Sequence, residues 1–476
     1  MTRMMSPITP SAPDVIPSPS AAAFGTSVKL RYGAAGFADN LAFNCVNQFA
    51  NPIYNLILGV NPALVGLMLA LPRIMDAFLD PFIGLVSDNH RSRWGRRRGF
   101  IAIGAILTGV AAAFLWWPPA GHSTVFYAAF LLVAGLFLAV SHSLFTVPYY
   151  ALGVELTTRA EDRNALMAWK AGFNKLSGVA NQWLFALAQL AVFGGILAGA
   201  RALGIIIGLV VVGLGLLPAL TLREPAYEHV VRQERQAFWP SFRGAFSRRD
   251  FRFLAFSNIM LLASVMMVDA VGFYLTIFYV CGGDFKEAGW LKGVSGTVFQ
   301  LGGMFSLPFF TALCRRYEKR TVARWSILLV MIAGLSKWFC YSPGAGWWVV
   351  VPSALLAPGL AAVLMLGPSM VADLCDLDEA EHGVRREGMF VATYYWLLKG
   401  CTSAMMLLSG TIIALTGFKA SAGAMQTPEA ITAMRFWFTG GTIGLAVMSY
   451  LLLGPYTLTA ARLAALRRPA PTSAFS

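Results

Sequence analysis

The sequence predicts an all-α integral membrane protein of twelve transmembrane helices, set as two six-helix halves. Three observations predict it. Of 476 residues, 57% are hydrophobic and only 13% charged, far from the balance of a water-soluble domain. Apolar stretches long enough to cross a bilayer, about 20 residues each, recur along nearly the whole chain. Basic residues gather after every second stretch.

The stretches run over 29–57, 62–86, 99–119, 123–152, 168–195, 201–221, 252–281, 288–313, 321–341, 347–375, 388–416 and 432–456. Asp39, Asn40, Asn44, Asn47 and Gln48 interrupt the first. Lipid cannot hydrogen-bond such groups, so this helix is expected to line a wet interior. The longest segment between spans, residues 222–251, is expected as a cytoplasmic linker between halves at 28–221 and 252–456. Residues 1–27, rich in Pro, Ser and Ala and without a signal-peptide core, are expected as a disordered cytoplasmic tail, and 457–476 as a second tail.

A net charge of +14 raises the question of nucleic acid, and its placement answers it. Arg91, Arg93, Arg96, Arg97 and Arg98 follow the second span; Arg159 and Arg163 the fourth; Arg223, Arg232, Arg235, Arg243, Arg248 and Arg249 the sixth. Arg315, Arg316, Lys319 and Arg320 follow the eighth, Arg385 and Arg386 the tenth, and Arg462, Arg467 and Arg468 the last. Loops after the odd spans, such as LGVNPA, PPAGHS and YSPGAG, carry little base. By the positive-inside rule the even loops and both termini are cytoplasmic, and the charge serves topology and membrane lipid rather than nucleic acid. A bacterial inner (plasma) membrane is the expected location.

Six scattered cysteines show no CxxC or metal-like spacing and are expected to pack; neither a metal nor a cofactor is expected. The chain has no HExxH, no GxSxG and no Cys/His cluster, so an enzyme is not expected and no catalytic residue is assigned.

The stretch RIMDAFLDPFIGLVSDNHRSRWGRRRGF (73–100) buries acid and then stacks base. Asp76 and Asp80 are four apart, so a helix projects both carboxylates from one face. At low dielectric two such acids do not both ionise without a cation or proton between them, which is the chemistry of a coupling-ion site. The competing role is ion pairing with Lys170, Lys175 or Lys399 on a neighbouring helix. Asp88 and the arginines after it, Arg91, Arg93, Arg96 and Arg97, are expected to set topology or gate, as are Arg163 and Arg386 in later loops. His142, well inside a span, is expected to pack or hydrogen-bond rather than relay protons.

The halves echo one another. Gly84, Asp88 and the arginine run after the second span resemble FFTALCRRYEKRTVAR after the eighth. VPYYALGVELTTRAEDRNALMAWKAGFNKLSG (147–178) resembles GPSMVADLCDLDEAEHGVRREGMFVATYYWLLKGCTSA (367–404), each with Pro late in one span and a lysine, Lys175 or Lys399, inside the next.

DAFLDPFIGLVSDNHRSRWGRRR resembles the signature of the glycoside-pentoside-hexuronide:cation symporters, the melibiose permease family of the major facilitator superfamily. VPYYAL, ADLCDLDEAEHGVRREGMF and Lys399-Gly400 add to the resemblance, which covers residues 30 to 410. It implies the major facilitator fold and cation-coupled uptake of a sugar or glycoside by alternating access. It places the coupling ion among Asp76, Asp80, Ser143 and Thr146. Thr146 stands where sodium-coupled relatives carry an acid, and Leu79 replaces an amide, which implies a proton rather than sodium. The resemblance places the substrate at Asp39, Tyr150, Lys170 and Lys399, with Tyr395 and Trp396 just before the last. Two other functions fit the composition: transport of a lipid-like or other amphipathic solute, and a passive channel or non-transporting sensor.

Overall fold

The structure is a computed structural model that describes residues 25–90, 92, 94–157, 159–222, 238–382, 387–419 and 425–458. Thirteen helices, and no strand, occur among the described residues: α1 (Thr26–Ala50), α2 (Pro62–Asn89), α3 (Arg98–Phe114), α4 (Thr124–Glu155), α5 (Ala160–Leu187), α6 (Ile196–Thr221), α7 (Phe238–Ser247), α8 (Arg249–Leu275), α9 (Phe285–Cys314), α10 (Lys319–Cys340), α11 (Val350–His382), α12 (Glu387–Leu415) and α13 (Pro428–Leu452). Each apolar stretch of the sequence holds one of these helices; α7 is the addition. Eight are long and apolar enough to cross a membrane by length and composition: α2, α4, α6 and α8 to α12. Of the rest, α3 has 17 residues, and α1, α5 and α13 carry charges such as Asp39, Lys170 and Arg435.

The departures from the expected boundaries are greatest at the fifth span and in the linker. The fifth span, expected at 168–195, lies earlier, at Ala160–Leu187, because Glu161 and Asp162 favour a helix start where the backbone N–H groups are unpaired. The chain then turns through Ala191–Phe193 and two glycines, Gly194 and Gly195, at φ 72° and 155°, before α6 begins. Inside the expected linker, residues 238–247 form α7. Its Phe242 and Phe246 stack at 5.2 Å, one turn apart, and Phe242 sets its edge against Trp396 of α12 at 5.6 Å.

The packing repeats. In the first six helices α1 lies on α5 and α6, α3 on α4 and α6, and α2 on α4; in the last six α8 lies on α12 and α13, α10 on α11 and α13, and α9 on α11. Raising each label in the first set by seven yields the second. The two most extensive contacts between the sets are α2 with α12 and α5 with α9, and the same rule exchanges them.

Both crossings are tightest at one end, which the charge pattern predicts to be extracytoplasmic. A Cβ at Gly66 of α2 would stand 2.7 Å from the Met406 carbonyl oxygen of α12, and one at Gly410 would meet the Pro62 carbonyl. On the other crossing a Cβ at Gly293 of α9 would stand 2.8 Å from the Trp183 ring of α5. Only residues without side chains allow such approaches. At the same end α1 and α8 each finish in a π-helical turn, Asn51–Ile57 and Thr276–Val280. There the Tyr274 hydroxyl donates to Asn55 Oδ1 at 2.6 Å, and Asn55 Nδ2 donates to the Val60 carbonyl at 2.7 Å. Both side chains are buried, so the bond is dry and ties the first helix of one set to the first of the other.

At the opposite end, ion pairs join helices within one set. Arg97 donates to Asp88 at 2.7 Å and lies 2.9 Å from Glu155, which Arg96 also meets at 2.7 Å. Lys319 meets Asp373 at 2.6 Å, and Arg248 meets Asp378 at 2.6 Å and Glu381. The two sets are thus latched to each other at one end and each clamped on itself at the other.

Tyr274→Phe leaves the Asn55 carbonyl oxygen buried without its donor. That costs the closed end about 1–3 kcal/mol, an increase of about fivefold or more in molecules open at that end. Nitroxide labels at the Pro62 end of α2 and the Leu415 end of α12 should report a longer-distance population growing by that factor, and an unchanged distribution would count against the latch.

Candidate coupling and substrate site

Midway along the bundle α2 presents Asp76 and Asp80. The four-residue spacing brings them to a common partner: Ser143 Oγ of α4 donates to Asp80 Oδ1 at 2.7 Å and lies 3.4 Å from Asp76 Oδ1. Asp76 is 4% exposed. Asp80 is partly open, and its other oxygen accepts from Lys399 Nζ of α12 at 2.5 Å. Of the three lysines that could have paired with the acids, Lys399 is the one that does so with Asp80. A residue expected on the substrate is thus placed on an acid expected to hold the coupling ion, across the contact between the two helix sets.

A second group forms one helix away. Asp39 of α1, 5% exposed, has both carboxylate oxygens engaged: the Tyr150 hydroxyl donates to Oδ2 at 2.6 Å, and His142 Nε2 lies 3.0 Å from Oδ1. Lys170 Nζ of α5 stands 3.3 Å from the centroid of the Tyr150 ring, a cation–π contact. Acid, base and aromatic face therefore meet at Tyr150. His142 and Ser143 are consecutive, so one turn of α4 touches both groups.

Between α1, α2, α4 and Met406 of α12 lies a cavity of about 40 Å³, lined by Phe43, Asn47, Arg73, Asp76, Leu138 and His142 among others. That is room for a few waters. Arg73 closes one wall: its guanidinium stands 3.0 Å from the Phe43 ring centroid and donates to the Phe43 carbonyl at 3.0 Å. Arg73 was not among the residues expected at the site, although it stands as a charge three residues before Asp76 in an apolar run.

The remaining candidates are dispersed. Thr146 donates its hydroxyl to the His142 carbonyl at 2.9 Å, one turn back on its own helix. Tyr395 is 53% exposed, and Trp396 packs against α7. Tyr394, just before them, is buried and accepts from Asn258 at 2.9 Å. Lys175 donates to Gln300 Oε1 of α9 at 3.3 Å, across the second crossing. Asp88, Arg96 and Arg97 form the cluster described above, Arg163 lies at the start of α5, and Arg91, Arg93 and Arg386 lie outside the described residues.

The Asp80–Lys399 pair predicts non-additive stability. Asp80→Asn and Lys399→Ala each strand a charge, whereas the double variant strands none. Thermal unfolding in detergent should give an interaction energy on the order of 1 kcal/mol, small because both groups are partly solvated. Additive losses would mean that the pair contributes nothing.

Comparison with known proteins completes the assignment. The chain is 24% identical over 444 residues to the glucuronide carrier protein homologue of Escherichia coli K12, covering 90% of this chain and 92% of that protein. It is 22% identical over 434 residues to the isoprimeverose transporter of Lactiplantibacillus pentosus, covering 89% and 88%. Its fold resembles, with a TM-score of 0.68 at 16% identity, a bacterial homologue of the human lysosomal transporter Spinster solved in an inward-facing, unoccupied conformation. That match covers 94% of this chain and 98% of the other. The family described as MFS/sugar transport protein matches residues 31–460. The resemblance in the α2 signature is borne out: the chain belongs to the MFS/sugar transport protein family, within the major facilitator superfamily, and is a membrane transporter rather than an enzyme.

Proposed function

We propose that the protein is a cation-coupled symporter of a sugar or glycoside, with a proton rather than sodium as the coupling ion. The observation that carries this is the Asp80–Lys399 ion pair, which joins the two helix sets through the acid that also shares Ser143 with buried Asp76. A cation arriving on Asp80 competes with Lys399 for the same carboxylate. Once that charge is satisfied, Lys399 is released and the contact between α2 and α12 loses its ionic part. Ion occupancy and the freedom of the halves to part become one event.

The proton is favoured by the donor set. Sodium takes several oxygens, and Asp80 already gives one to Lys399 while Thr146 turns its proton onto its own helix. Among the described residues no three His, Cys, Asp or Glu side chains converge as a metal site. A proton needs one carboxylate oxygen, and Asp76 beside Asp80 offers it.

For the substrate, the Tyr150 ring supplies a stacking face, Asp39 accepts from hydroxyls and Lys170 donates. Lys399, when freed, adds a donor from the opposite set, with Tyr395 near it on α12. The halves 28–221 and 252–456 would rock about the site, with 222–251 as the linker between them. The twelve long helices then all span a bacterial inner membrane, with both termini cytoplasmic, and Asp88, Arg96, Arg97 and Arg163 brace the cytoplasmic end.

Uptake into proteoliposomes tests this. Radiolabelled glucuronides and neutral disaccharides are offered under an imposed proton gradient, then a sodium gradient, to the wild type and to Asp76→Asn and Asp80→Asn. Accumulation driven by the proton gradient and lost in both variants is the expected result. Accumulation under sodium alone would reverse the ion assignment, and downhill flux indifferent to both gradients would replace symport with a passive pathway.

A further inference from the structure

We propose that His142 is the residue through which the ion site and the substrate site sense each other. It acts through Asp39 as a positioning residue, without contacting either solute. The proposal rests on the symport function above and adds how its two sites are joined.

The geometry is particular. His142 and Ser143 are neighbours on α4, and successive side chains on a helix point about 100° apart. Here that angle sends one to each site: Ser143 Oγ to Asp80 at 2.7 Å and toward Asp76 at 3.4 Å, His142 Nε2 to Asp39 at 3.0 Å. A rotation of this turn that follows Ser143 must move His142, and with it the Asp39 carboxylate. Thr146, one turn on, donates its hydroxyl to the His142 carbonyl at 2.9 Å and so belongs to the same turn.

The surroundings make His142 sensitive to the ion from a second direction. Its ring lies 5.4 Å from that of Phe43, the same ring that holds the Arg73 guanidinium at 3.0 Å. Arg73 is three residues before Asp76, and Arg73, Asp76 and His142 line one cavity. The groups around His142 are therefore Asp39 and Phe43 on α1, Arg73 and Asp76 on α2, Thr146 and Tyr150 on its own helix, and, through Tyr150, Lys170 on α5. On the substrate side Asp39 has two holders, Tyr150 and His142. Both stand on α4, and of the two His142 is the one next to Ser143.

Two sites joined this way must influence each other equally, since linkage is reciprocal. A histidine that merely satisfied a buried acid would alter substrate affinity by the same factor with and without the coupling ion. A coupling histidine alters the ratio between those two affinities.

The test reads that ratio. Wild type, His142→Gln, His142→Asn and His142→Leu are reconstituted, and half-saturation of equilibrium exchange is measured with methyl β-D-glucuronide and with isoprimeverose, each at acidic pH, at alkaline pH and with added sodium. The Gln amide reaches as far as Nε2 and keeps a donor toward Asp39; the Asn amide falls short, and Leu has none. In the wild type the coupling ion should improve half-saturation about fivefold or more. His142→Gln should keep most of that factor, while His142→Asn and His142→Leu should exchange the probe with nearly equal half-saturation in all three conditions and lose uphill accumulation. A wild-type ratio in His142→Asn or His142→Leu overturns the proposal, as does loss of the ratio in a His142→Gln protein that still exchanges. If His142→Leu does not fold, the Asn and Gln pair decides alone. A wild type that exchanges both probes with no dependence on either ion removes the symport function itself, a result separate from any of these.

Discussion

The arrangement at the centre depends on a single demand: charges placed inside a low-dielectric bundle have to be answered by other charges or by hydrogen bonds. Asp80 is answered by Lys399 from the other helix set, Asp39 by Tyr150 and His142, and Arg73 by the ring and carbonyl of Phe43. None of these answers comes from the same helix as the question. The need to satisfy them draws α1, α2, α4 and α12 together around one level of the bundle. The glycines at Gly66 and Gly410 then determine how near α2 and α12 can come.

The two crossings between helix sets compare one chemistry with its neutral counterpart. Where α12 meets α2, a lysine faces a carboxylate; where α5 meets α9, Lys175 faces the Gln300 amide. The packing rule exchanges these contacts. The first pair joins two charges, and the second joins a charge to a neutral amide.

Legibility in the sequence followed the range of the interaction. The twelve long helices were readable because hydropathy is local, and α5 was misplaced by eight residues because its acidic first turn has no apolar signal. The short helix α7 was missed since ten residues rich in aromatics within a basic linker show no span and no obvious cap. At the site, Asp76 and Asp80 were legible as a pair from their spacing alone. That Lys399 rather than Lys170 or Lys175 would meet Asp80 was not, because the partners are more than three hundred positions apart and only the packing of α2 on α12 brings them together. His142 could be seen as a polar residue within a span, but nothing local indicated that its acceptor would be Asp39. Arg73 needed only closer attention to the charge count of its own stretch.

The π-helical turns at Asn51–Ile57 and Thr276–Val280 stand at matched places, each at the end of the first helix of its set. A π turn pairs each N–H with the carbonyl five residues back instead of four, so the side chains along it leave the register of the α-helix before it. Asn55 reaches Tyr274 of α8 from the first of these turns. An unbroken α-helix through the same residues would turn Asn55 to another face, and the bond between the two sets would lose its acceptor.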